Sequence, residues 1–504
     1  MIKKIHSIKF HKFSVERRVA VISVYKKFLV FIVSAWMIIP VADTYAQIKE
    51  DTVNTTILDI PQKVLINNIF IVGNEKTRKN IILRELNLKQ GLVYDWEELL
   101  GMIKADQQKI YNLQLFNNVE ITPLLTEVGQ IEILVSVTER WYIIPSIIFN
   151  LADRNFAEWW TNQNRDFSRV DYGLRLAHNN VGGRNEKMKI SAQLGFTKAF
   201  DVLYSIPYID KNQQHGLAVQ FNYFTNKTVA LRSLENKQVF FQNETQDALR
   251  KNTAAFLRYT YRGSFYNFHF ATFGFNHTWV KDEVLEQNPN YFLNEQNDLR
   301  YFLASYNFRH DRRDNNAYAT DGESLNIGIT KYGLFSGDGI NETELSLNVN
   351  KYQKFNNKFH YAAGLSLNAF MSPKQPYTLV RGIGYKPNFI RGYELNVIEG
   401  QQTVVQKNSL RFTIFDLGYD ISNIMPVEEF SYFPVKLYFS ANFDHGYVKD
   451  RNFIPENGRL TNQYLYGYGA GFDLVTFYDL VLRFEYSINS QKEGTFFINF
   501  LAPF

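Results

Sequence analysis

The chain closes on Gly494-Thr495-Phe496-Phe497-Ile498-Asn499-Phe500-Leu501-Ala502-Pro503-Phe504, a period-two strand that stops on a terminal phenylalanine. Phe496, Ile498 and Phe500 share one face in phase with Phe504, while Thr495 and Asn499 take the other. A strand in this position leaves a row of backbone donors and acceptors unpaired unless a neighbour covers each edge. A sheet that closes on itself supplies both neighbours. The tail therefore predicts a barrel in which the last strand meets the first.

Composition agrees with that expectation. Aromatic residues make up 16% of the chain, with 43 Phe and 31 Tyr, yet mean hydropathy is only −0.27. Helical membrane spans would raise the mean; strands whose alternate residues face lipid and lumen average it out. With no cysteine, disulfides and thiolate metal sites are excluded. The continuous apolar run, Phe28 to Val41, follows Lys26-Lys27 and precedes Thr44-Tyr45-Ala46. Residues 1–46 thus read as a secretory signal peptide; the alternative, an N-terminal anchor, needs the ~20 apolar residues of a span. Eight Lys/Arg against Glu16 and Asp43 give this leader +6 of the chain's +5, leaving about −1 for the rest. The basic balance belongs to the leader and gives no support to nucleic-acid binding.

After a linker, 47–63, residues 64–139 read as a small α+β domain. Val64 to Ile71 is strand-like and ends at Gly73-Asn74. A helix is expected over 77–86, and a longer one runs from an Asp95 N-cap to Leu113 with Leu99, Ile103 and Ile110 on its apolar stripe. Two short strands follow, at 119–121 and 131–137. From 141 to 504 helical periodicity disappears and sixteen strand candidates succeed one another. Leu410, Phe412 and Ile414 oppose Arg411 and Thr413; Leu482, Phe484 and Tyr486 oppose Arg483 and Glu485. Charged members keep to one phase, the lumen phase of a membrane barrel. Connections alternate between long ones (151–168, 227–251, 280–296, 371–403) and mostly tight turns. A soluble β-sandwich would not put apolar aromatics on the outward phase of so many strands. The fold class expected is mainly β: a 16-stranded transmembrane antiparallel barrel behind one small α+β domain.

No nucleophile elbow, phosphate-binding loop or histidine pair with a nearby acid is present. The expectation is a non-enzyme with no cofactor and no metal. Asp311-Arg312-Arg313-Asp314 reads as a charged turn. One constellation stands apart. The loop 371–403 carries Ile390-Arg391-Gly392-Tyr393, and the strand through Phe443-Asp444-His445-Gly446 places Asp444 in the lumen phase. An arginine on a loop folded into the lumen needs an acidic partner on the wall, and Asp444 has the right phase.

Arg391-Gly392-Tyr393 resembles the Arg-Gly-Tyr/Phe signature of the sixth loop in the BamA/TamA-like outer-membrane assembly superfamily. Phe443-Asp444-His445-Gly446 is similar to the strand that receives that arginine there. Asp311 to Gly322 is similar to the family's Asp-x-Arg-Asp turn, with Thr320-Asp321 in place of its proline step, and Asn179 to Gly183 to its Asn-x-x-Gly-x-Gly turn. The α+β domain resembles a POTRA domain, which in that family lies in the periplasm and binds unfolded chains by strand addition. The resemblance implies a loop-to-wall lock of Arg391, Gly392, Tyr393, Asp444 and Gly446. It also implies a lateral seam between the first strand (Ile143, Ile144) and the last (Phe496, Ile498, Phe500, Phe504). By the same resemblance the protein inserts or translocates unfolded outer-membrane or secreted clients, in contact with outer-membrane lipids and accessory lipoproteins. A single POTRA-like domain departs from the several that such members carry. A pore for one dedicated exoprotein and a structural barrel are the alternatives.

Overall fold

The computed structural model describes residues 62–501, apart from 153–155, 244–246, 294, 386–387, 426–431 and 453–457. The expected leader, nearly all of the linker and Phe504 lie outside the described residues.

The N-terminal domain contains β1 (Lys63–Val72), α1 (Lys79–Leu83), β2 (Val93–Asp95), α2 (Trp96–Tyr111), β3 (Phe116–Glu127) and β4 (Gln130–Glu139). The sheet order is β2-β1-β4-β3, with β1 parallel to β4. Ile66, Ile82, Leu99, Ile110 and Ile133 are fully buried between sheet and helices. Three local expectations are corrected. The first helix is half the expected length: it begins only after Arg78, whose backbone is extended, and the Thr77 amide before it donates to the Glu139 carboxylate at 2.6 Å. At its other end, Glu85 and Leu86 bond three residues back and tighten the last turn. Asp95 stands at the N-cap position of α2 without a side-chain cap bond; it is held instead by strand pairing with Lys63. Asp95 thus ends an unexpected strand, and Glu97 and Glu98 place negative charge at the positive end of α2.

Sixteen antiparallel strands form the second region, in sequence order from Ile143–Leu151 to Gly494–Leu501. Period-two alternation drives them. Ile147, Phe149, Leu174, Phe443 and Tyr486 are exposed on the outer wall, whereas Asp444, Asp473 and Glu485 are buried on the inner one. The twelfth strand, Gln402–Asp420, is longer than its alternation suggested; a bulge at Ile414 interrupts its phase. The third, Glu186–Gly195, stops before Phe196, which instead lies under Arg169. Two connections contain unexpected hairpins, Thr228–Leu234 with Lys237–Gln242 and Arg381–Ile383 with Ile398–Gly400. Two more contain short helices, α3 (Phe156–Thr161) and α4 (Asp282–Gln287).

Among the described residues, no register joins the first strand to the last. Flanking segments nevertheless bring the two ends of the sheet near each other. At one rim the Trp141 amide, just before the first strand, donates to the Tyr478 hydroxyl at 2.9 Å. At the other, α3, just after the first strand, lies against the last strand.

The N-terminal domain docks on the turns of its own rim. Arg262, closing the sixth strand, makes two 2.6 Å bonds to the Glu85 carboxylate. Its two nitrogens, the 3.9 Å stack of Arg84 on Tyr208 and the 3.8 Å approach of Lys109 to Phe265 cover two neighbouring turns. Burial lowers the Lys109 ammonium below its ordinary value.

Candidate functional site

The loop between the eleventh and twelfth strands, residues 371–401, folds inward. Ile390 and Tyr393 are fully buried, although both sit in a connection. Arg391 reaches the inner wall between two carboxylates. Its Nη1 lies 2.7 Å from Asp444 Oδ1 and its Nε 2.5 Å from Glu485 Oε1. The guanidinium is 13% exposed and the two acids 1% and 2%. Two acids on one cation need further donors, and the wall supplies them. Glu485 accepts from Ser487 Oγ at 2.9 Å and Asn442 Nδ2 at 3.3 Å. Lys407 faces Asp444 across the twelfth and thirteenth strands.

Backbone shape fixes the arginine as firmly as charge does. Gly392 has φ +81°, and a Cβ there would stand 2.6 Å from the Asn489 amide nitrogen. Its carbonyl accepts from Asn489 Nδ2 at 2.8 Å. Opposite, a Cβ on Gly467 would stand 1.8 Å from the Arg391 carbonyl oxygen. Only a glycine allows that approach. Tyr393 packs in the loop core and its hydroxyl lies 2.7 Å from Ser490 Oγ. Gly446 lies beneath Ile390. The structure therefore brings Arg391, Gly392, Tyr393, Asp444 and Gly446 together. It adds Glu485, Gly467 and Asn489, which sequence reasoning did not single out. Glu485 was in the lumen phase; its nearness to Asp444 depends on register across three strands.

The seam residues are placed differently. Ile143 and Phe496 are about half exposed on the outer wall, and Ile144 and Ile498 are half-buried. Phe500 continues the last strand, and Phe504 lies outside the described residues. Phe497, on the inner phase, meets Phe389 of the arginine loop with ring centroids 6.3 Å apart. The loop thus touches the seam strand directly. Among the described residues, no group of three or more His, Asp or Glu is arranged to hold a metal.

Residues 64–140 match the family model for POTRA, described as a surface antigen variable number repeat. The N-terminal domain is a POTRA domain. The chain is similar in structure to BamA from Haemophilus ducreyi lacking POTRA domains 1–3, with a TM-score of 0.50 and 14% identity, covering 87% of this chain and 84% of that one. It is also similar to CdiB from Escherichia coli, with a TM-score of 0.52 and 12% identity, covering 87% and 76%. No curated protein matches in sequence. At these identities the likeness is one of fold: a POTRA domain followed by a 16-stranded barrel.

Proposed function

We propose that the protein lies in the bacterial outer membrane with its POTRA domain in the periplasm, and inserts or translocates unfolded client chains without catalysing a reaction. The observation that carries this reading is the seam. Fifteen consecutive pairs of barrel strands share an antiparallel ladder, while none joins the first strand to the last among the described residues. An open strand edge is a template for an incoming strand. The client's own burial of apolar surface in lipid supplies the driving force. The exposed outer-wall aromatics, such as Phe149 and Tyr486, suit contact with outer-membrane lipids. Accessory lipoproteins remain partners implied by family resemblance.

The test is reconstitution of the full chain in lipid vesicles with an unfolded outer-membrane barrel as client. Cysteines at Ile144 and Ile498, joined by a bifunctional thiol reagent, should abolish client insertion, and cleaving the reagent should restore it. Full insertion by the crosslinked barrel would overturn lateral gating. Passage of a secreted chain through the crosslinked barrel would instead identify a pore for a dedicated exoprotein.

A further inference from the structure

The turn between the eighth and ninth strands, residues 312–321, is longer than its neighbours on the POTRA rim, and it does not stay at the rim. Tyr318 and Ala319 are buried in a connection that charge alone would put in water. The turn reaches the inner wall of the twelfth to fourteenth strands. The Tyr318 hydroxyl donates to Asp473 Oδ2 on the fourteenth strand at 2.8 Å, and its ring meets Tyr438 of the thirteenth at 4.8 Å. Arg411, on the twelfth strand, donates to the Ala319 carbonyl at 2.8 Å and lies over the Tyr318 ring. The turn is held in shape by its own acid: Asp314 accepts from the Thr320 amide and hydroxyl at 2.9 and 2.6 Å.

The same turn grips the POTRA domain. Asn112, capping the end of α2, donates to the Arg313 carbonyl at 2.9 Å and accepts from Asn316 at 3.4 Å. Beside it stands Asp479, in the turn between the fourteenth and fifteenth strands. Asp479 Oδ1 accepts from Tyr111 Oη of α2 at 3.2 Å and from Asn315 Nδ2 at 3.1 Å, and Oδ2 accepts from Arg140 Nη2 at 2.9 Å. One buried carboxylate thus collects donors from the POTRA domain and from the inward turn. Burial and this carboxylate push the Tyr111 phenol up to about 12, so it remains a donor. Tyr478 and Asp479 both have positive φ, +55° and +60°. Two consecutive non-glycine residues in that region persist only where surrounding contacts hold them.

From Asp479 the fifteenth strand runs up the lumen wall with Arg483, Glu485, Ser487 and Asn489 on one face. Arg483 pairs with Asp473 at 2.7 Å, the residue that holds Tyr318. Glu485, one step further along that face, holds Arg391, and Asn489 holds Gly392. POTRA contact, inward turn and arginine loop therefore share one strand pair, which lies beside the seam strand.

We propose that Asp479 and Tyr318 are positioning residues that couple the seating of the POTRA domain to the seating of the arginine loop, so that loosening the first releases the second. The use of this coupling to admit a client rests on the reading given under Proposed function; the coupling itself does not. The absence of native cysteine makes a direct measurement of the coupling clean. In the full chain in lipid vesicles, Ile390→Cys places one thiol in the fully buried core of the arginine loop. Its labelling rate by a water-soluble maleimide reports how often the loop leaves the wall.

Asp479→Asn and Tyr318→Phe should each raise that rate roughly tenfold, the effect of losing a buried bond to a charged group. The double variant should exceed the larger single effect by little, because the two act in one chain of contacts. Retention of the heat-modifiable gel shift checks that the barrel is folded, and Tyr318→Phe, which removes one oxygen, decides the matter if Asp479→Asn does not fold. Parental labelling rates in folded variants overturn the coupling, even where client insertion is lost. Faster labelling in a protein whose parent inserts no client upholds the coupling and removes the insertase reading.

Discussion

Arg391 bridges two buried acids, and its energetics follow from that arrangement. A buried ion pair can be near neutral in net worth, but removing one partner strands charge without solvent. Arg391→Ala would remove the guanidinium from two buried carboxylates at once, leaving Asp444 facing Lys407 and Glu485 with its Ser487 and Asn442 donors. We expect it to cost about 3–5 kcal/mol of barrel stability, read as an earlier urea midpoint for the barrel in vesicles. Arg391→Lys should recover part of this loss only, because a lysine ammonium lacks the planar fork that reaches Asp444 through Nη1 and Glu485 through Nε. An unchanged midpoint for Arg391→Ala would show that the pair contributes nothing to holding the loop. Asp444 was legible in the sequence because alternation along one strand assigns it to the lumen. Glu485 had the same phase, yet alternation carries no information on which lumen residues become lateral neighbours. That is set by register: Asp444 lies level with Asn489 through Gly467, and Glu485 lies level with Ser440 through Gly471, so Arg391 spans a diagonal between the two acids.

Single elements divide along the same line. The barrel strands are long enough for period two to show, and all sixteen appear close to their expected places. Elements inside the connections were not legible. α3 spans six residues, too few for a helical period to emerge and too few to be stable without tertiary support. Its support is aromatic. Trp159 is buried, donates its indole N–H to the Asp166 carbonyl at 2.9 Å and meets Phe167 edge-on at 5.4 Å. α3 abuts the last strand where no ladder closes the sheet. Trp159→Ala should therefore speed hydrogen exchange of amides in Gly494–Leu501 by roughly tenfold or more, each tenfold being about 1.4 kcal/mol. The strands around Thr253–Tyr261, half the barrel away, should be unaffected. Equal protection of the last strand in parent and variant would remove α3 from the seam. The Asp95 cap fails for a related reason: β2 pairing with β1 took the residue before the helix could use its side chain.

At the scale of the whole molecule, the POTRA domain and the barrel are joined by buried charge as well as by a short covalent link. Glu85 and Arg262 are 1% and 8% exposed and meet in two parallel 2.6 Å bonds. They meet a different barrel turn from the Asp479 cluster at Tyr111 and Arg140. Neither was visible in the sequence, since Glu85 read as part of a helix and Arg262 as part of a tight turn; their contact depends on how two domains dock. Glu85→Ala leaves a buried guanidinium unpaired, a loss of about 3–5 kcal/mol to the docked arrangement. Spin labels on cysteines at Gly101, exposed on α2, and Lys211, exposed on a barrel turn, should then give a broader and longer distance distribution than in the parent. Glu85→Arg combined with Arg262→Glu restores opposite charges and should narrow it again. A narrow parental distribution in Glu85→Ala would mean that the Asp479 cluster alone seats the domain. Failure of the charge swap to narrow a broadened distribution would mean that bidentate geometry, more than charge, holds this anchor.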